Sequence, residues 1–164
     1  MTSDPVMDFL DDVGSQLDGK SLYVGFVDGA TYHDGTPVAD VAHDNEFGDP
    51  REHRPPRPFF RNAISEHEDQ WIETMGRGLA SGQPVDKVLE VMGAIIAGDV
   101  KLSITQLYDP ALSPVTVSLR MNKEYRQSLG LPVNNSTKPL VDTGTMLESV
   151  NYEVRGSDES QIDS

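Results

Sequence analysis

Four arginines, Arg51, Arg54, Arg57 and Arg61, fall close together with His53 among them, in a 164-residue chain of formal net charge −14. A guanidinium presents a planar fork of donors that matches a carboxylate or a phosphate. The cluster therefore admits three uses: binding phosphates, lying as a solvated basic loop, or docking on carboxylates of a neighbouring subunit. The acidic excess elsewhere favours docking, and a homo-oligomer can pair this stretch with an Asp-rich helix next door. The histidines invite a metal reading, because His33-Asp34 and His43-Asp44 repeat a pair and His53 and His67 lie nearby. Their spacing matches no compact ligand set, and His67-Glu68 lacks a second His four residues on. No Gly-x-Ser-x-Gly elbow supports a nucleophilic serine. Asp142-Thr143-Gly144 has the form of an aspartic-protease triplet, but that chemistry needs two carboxylates sharing a proton. A turn into the following short helix accounts for it better.

The elements that hold the arginines follow from local sequence. Pro37 opens a helix through Val38, Val41 and Ala42 to Phe47, and Gly48 stands where a helix-ending glycine of positive φ is expected. Residues 48–58 then form an arm. Pro55, Pro56 and Pro58 fix φ and favour extended geometry in the residues before them, so the arm reads as an ordered strip anchored by Phe47, Phe59 and Phe60. Pro58 starts a helix to about Leu79, with Phe60, Ile64, Trp71, Met75 and Leu79 on one stripe and Ile72 beside it. Ser81 to Pro84 break it. A second helix, with Val85, Val88, Leu89, Met92, Ile95 and Ile96 on one face, reaches as far as Leu107 with a kink expected at Gly98-Asp99. The pair reads as an antiparallel hairpin from 58 to about 107.

The flanks complete an α+β domain over residues 1–156. Residues 4–18 read as a helix capped by Ser3 or Asp4, with Val6, Phe9, Leu10, Val13 and Leu17 on one face and aspartates on the other. Residues 21–27 read as a strand apolar on both faces, hence central in its sheet. Residues 109–137, punctuated by Pro110, Pro114 and Pro132, read as a long loop or arm. The alternation of Val115, Val117 and Leu119 permits a short strand there, and Arg120, Lys123 and Arg126 make it mildly basic. Thr145 with Glu148 fits a capping box. Residues 151–155 read as a second strand, and 157–164 as an acidic mobile tail. The expected architecture is a small mixed or antiparallel β-sheet packed by a helical hairpin, with extended loops and arms.

Composition narrows the function classes. The charge of −14 argues against wrapping nucleic acid or binding anionic membranes. The absence of cysteine removes disulfides and thiolate metal sites. No basic leader precedes an apolar segment at the N-terminus and no apolar run approaches membrane-spanning length, so use in a cytoplasm is expected.

Two motifs carry a family resemblance. The first is Asn45-Glu46-Phe47-Gly48, followed by a Pro-x-Arg-Pro-Phe run on Pro56, Arg57, Pro58 and Phe59, and by Arg61. The second is Lys138-Pro139-Leu140-Val141-Asp142-Thr143-Gly144, continued by Met146-Leu147 and Ser149-Val150. Together, in this order, they resemble the signature of a tailed-bacteriophage family of virion-morphogenesis, neck and tail-completion proteins. The chain departs from that pattern in the expanded arm Arg51-Glu52-His53-Arg54 and in the long stretch before Lys138. The resemblance implies a structural virion protein of the neck that completes the tail and joins it to the head, with no catalytic residue, cofactor or metal. It implies a homo-oligomeric ring, expected to be hexameric, contacting other neck and tail proteins, assembled in the host cytoplasm. DNA would pass through the lumen without stable binding, and no membrane is involved. The expected interface residues are Asn45, Glu46, Phe47, Gly48, Arg51, Arg54, Arg57, Phe59, Arg61, Asp142, Thr143 and Gly144. The alternatives are a tail-terminator or head-closure ring and, from another class, a metal- or carboxylate-dependent hydrolase acting through His43 or His53.

Overall fold

The fold is built on two long helices because two 22-residue stretches carry helical apolar periodicity and only a short Gly/Pro break parts them. In the computed structural model, which describes residues 4–27, 29–107, 111–132, 134 and 144–156, these are α3 (Phe59–Ala80) and α4 (Val85–Gln106). Around them, in chain order, lie α1 (Pro5–Leu17), β1 (Ser21–Gly25), α2 (Val38–Phe47), α5 (Pro114–Met121), α6 (Lys123–Ser128), α7 (Thr145–Glu148) and β2 (Asn151–Arg155). The α+β class and the hairpin against a small sheet agree with the sequence reading.

The buried face of α4 runs its whole length through Val85, Val88, Leu89, Met92, Ala97, Val100 and Ile104. Ile95 lies off that face, exposed. α4 continues unbroken through Gly98-Asp99, where a kink is expected from the sequence. Asp99 accepts a 2.7 Å hydrogen bond from the indole N–H of Trp71, joining the two helices. The expected stripe on α3 holds in part, with Phe60 and Trp71 half-buried and packed against the core. Phe59 and Ala63 are buried, whereas Ile64 and Ile72 face solvent. The small side chain of Ala63 belongs to the tightly packed face, alongside Val38 and Ala42 of α2, Leu107, Met146 and Val150 in one core cluster. The Ser103 hydroxyl donates to the Phe59 carbonyl at 2.6 Å, tying the start of α3 to the end of α4.

β1 and β2 pair antiparallel, with Leu22 opposite Val154 and Val24 opposite Tyr152. β1 was expected to be central. It lies in a two-stranded sheet in which, among the described residues, β2 is its neighbour. One face lies on α4. The other is open, and there the Arg155 guanidinium stacks 4.7 Å from the Tyr23 ring centroid. Gly93 makes the α4 contact possible: a Cβ there would fall 2.3 Å from the Tyr152 ring.

Two further expectations change. The described part of 109–137 is not a loop or strand but two short helices, α5 and α6. The Ser113 hydroxyl accepts from the Thr116 N–H at 3.2 Å, and Pro114 occupies the first turn, a strong helix start that outweighs the alternation of Val115 and Val117. The capping box at Thr145 does not form; α7 begins after Gly144, at φ 82°, with no side-chain cap. The acidic tail at 157–164 lies outside the described residues. α1 forms as expected, capped by Asp4, yet none of its residues is fully buried: Val6, Phe9 and Leu10 are exposed, while Val13 and Leu17 are half-buried.

Candidate docking surface

Asn45 to Gly48 form the joint from which the arm is hung. Gly48 ends α2 at φ 77°, ψ 168°, a backbone region open to glycine. A Cβ there would also lie 2.8 Å from the Arg54 carbonyl oxygen. The arm does not extend away. Asp49 and Arg54 exchange backbone hydrogen bonds of 3.0 and 2.9 Å, closing a tight turn through His53 at φ 54°. The Arg57 N–H then donates to the Asn45 carbonyl at 2.6 Å, stitching the arm back onto α2.

Glu46 is the buried centre of the joint. Its carboxylate accepts from the N–H groups of Phe60 and Arg61, at 2.9 and 3.1 Å, in the first turn of α3. Pro58, at the cap position, has no side-chain acceptor to offer. A carboxylate is favoured there by the unsatisfied donors and the positive end of the helix dipole. Arg61 answers it, its Nε donating to Glu46 Oε1 at 2.8 Å and its Nη2 to the Glu46 carbonyl at 2.7 Å. Phe47 was read as an apolar anchor; it is more than half exposed, packed between the His43 ring and the Arg61 guanidinium. Phe59 is fully buried.

The arginines thus separate. Arg51 is exposed on the turn, its N–H bonded to Asp49 Oδ1. Arg61 borders a shallow apolar hollow with Phe26, Phe47 and Phe60. Arg54 and Arg57 meet in a larger cleft of ≈ 680 Å³ between the arm, α5 and the start of α7. Arg120 of α5 joins them there, with Ser113 and Thr116. Arg57 is buried and its Nη2 donates to the Ala111 carbonyl at 3.4 Å. Burial, then the charges of Arg120 and Arg54, hold its guanidinium below its ordinary pKa. Gly144 lines the same cleft; Asp142 and Thr143 lie outside the described residues.

Sequence reasoning missed Arg120, Ser113 and Thr116, because 109–137 was read as a loop. The signal available was Ser113-Pro114 with Thr116, a helix start that would have put Arg120 in the last turn of α5. The cleft has the chemistry of anion recognition, with guanidiniums and hydroxyls beside some apolar lining. Among the described residues no three His, Asp or Glu side chains converge as a metal set, and no helix is long and apolar enough to cross a membrane. Compared with protein-family models, curated proteins and solved structures, the chain matches none of them.

Proposed function

We propose that the chain is a structural, non-catalytic virion protein of a tailed phage, a neck or tail-completion component that joins head to tail as an oligomeric ring. What supports this reading is the joint at Glu46. Of the motif residues that carry the resemblance, Asn45 accepts from the Arg57 N–H and Glu46 bonds Arg61 and the start of α3, with Gly48 turning the chain between α2 and the arm. Such a motif serves to hold an arm in a fixed pose, which is what a part that docks on neighbours requires. Rings of identical subunits suit a component on the axis of a tailed particle. The test is genetic. Deleting the gene from the phage should leave filled heads and separate tails in electron micrographs, restored by supplying the protein in trans. Normally joined, infectious particles from the deletion would overturn the reading.

A further inference from the structure

We infer that the side of α4 turned away from the sheet is covered by the same side of a second copy, the two α4 helices packing antiparallel about a two-fold axis. This is a contact of the free chain; it goes beyond the ring reading above and does not rest on it. α4 carries apolar residues on two opposite sides. One is buried through Val88, Leu89, Met92, Val100 and Ile104. On the other, Val91, Ile95, Gly98 and Leu102 recur at helical spacing with Ala94 beside them, and all five are exposed. Val91 is 50%, Ile95 37% and Leu102 46% open to solvent. Among the described residues no element covers this stripe, and α1 meets α4 in its first turn, at Val85 and Asp86. An amphipathic surface helix turns a polar face outward, so a second apolar stripe marks a contact surface.

The stripe is complementary to itself. None of its five residues is charged, in a chain of net charge −14. Copies that repel one another elsewhere can approach there. Antiparallel packing that sets Ile95 of one copy beside Gly98 of the other also sets Leu102 beside Val91. Gly98 leaves room for the isoleucine, since a Cβ there would meet nothing within 4 Å. Val91 borders an apolar hollow of ≈ 200 Å³ near the tip of the hairpin, shared with Thr74, Gly78 and Val88. That hollow takes the second copy's leucine. Each contact occurs twice, as an isologous interface requires.

The charges beside the stripe fix its direction. Glu90 and Lys101 lie on the same flank of α4, about three turns apart. The antiparallel two-fold brings each copy's glutamate to the other's lysine. Parallel packing would instead set glutamate against glutamate, lysine against lysine and Gly98 against Gly98. Flanking charges of this kind decide orientation and partner choice in paired helices.

The test is sedimentation equilibrium of the full chain and of variants at these outward positions, with circular dichroism melts matching the wild type to establish folding. The wild type should form pairs of twice 18.0 kDa. Leu102→Lys should sediment as one chain. Glu90→Lys alone and Lys101→Glu alone should each weaken pairing by about tenfold, because like charges then face one another. The double variant carrying both changes should regain the wild-type affinity, and an equimolar mixture of the two single variants should pair better than either alone. This reciprocal rescue is specific to the antiparallel register. The contact is overturned if the wild type stays monomeric up to about 1 mM, or if its assembly, of whatever size, survives Leu102→Lys unchanged. It is equally overturned if the double variant pairs no better than the single ones. The ring reading falls separately, by tails that join without the gene.

Discussion

Glu46 and Gly48 show how two residues set the pose of an arm. Gly48→Ala places a Cβ against the Arg54 carbonyl at a backbone conformation suited to glycine. It should cost about 1–3 kcal/mol, read as a lowered midpoint in denaturant unfolding; an unchanged midpoint would contradict the geometry. Glu46 and Arg61 are partners of unequal weight. Glu46→Ala strips a buried carboxylate from two N–H groups of α3 as well as from Arg61, and should cost roughly 2–3 kcal/mol because these bonds are charge-assisted. Arg61→Ala leaves the helix start capped, and the Arg61 side chain is half exposed, so about 1 kcal/mol or less is expected. Equal losses in the two unfolding curves would mean that the ion pair, not the cap, holds the joint. Gly48 was legible in the sequence because its chemistry is local. The role of Glu46 was not, since the first N–H it caps, that of Phe60, lies fourteen positions further on.

Elements with strong local signals were legible, and those defined by tertiary packing were not. α1 had its cap and its proline, and the α3–α4 hairpin had two long apolar periods and a Gly/Pro break. α5 and α6 are 8 and 6 residues long, too short for periodicity to outweigh three prolines nearby. The stripe on α3 was legible through Phe60 and Trp71, which pack against the core, but its most buried members, Phe59 and Ala63, were not, and Ile64 is exposed. β1 seemed central because both faces carry apolar residues, but Tyr23 lies on the open face under Arg155. The contact of β2 with α4 gives a test at this scale. Gly93→Ala would drive a methyl into the Tyr152 ring, and should cost about 1–3 kcal/mol as overpacking. Calorimetry showing no loss would mean that the Tyr152 ring sits further from Gly93 than this close approach requires.

At the scale of the whole molecule, charge governs behaviour. An excess of 14 negative charges, repeated in every copy of the proposed ring, would repel a duplex passing through it. Arginines held in the joint and the cleft do little to soften that field. Purified protein should therefore show no duplex DNA binding at physiological salt in a gel-shift titration. Micromolar binding that weakens steeply with salt would instead make the arginine cleft a phosphate site. The class of the fold and its acidic character were readable from composition and periodicity; the cleft was not, because Arg120 reaches Arg57 only through tertiary folding. The claim at the centre of this account is that the arm forms contacts between copies at the head–tail joint. A density map of that joint in assembled virions tests it most directly. The account predicts a ring of copies of this chain on the particle axis, hexameric at first expectation, with residues 48–58 of each copy against its neighbour. A joint that lacks the chain, or a ring in which the arm faces solvent on every copy, would contradict it.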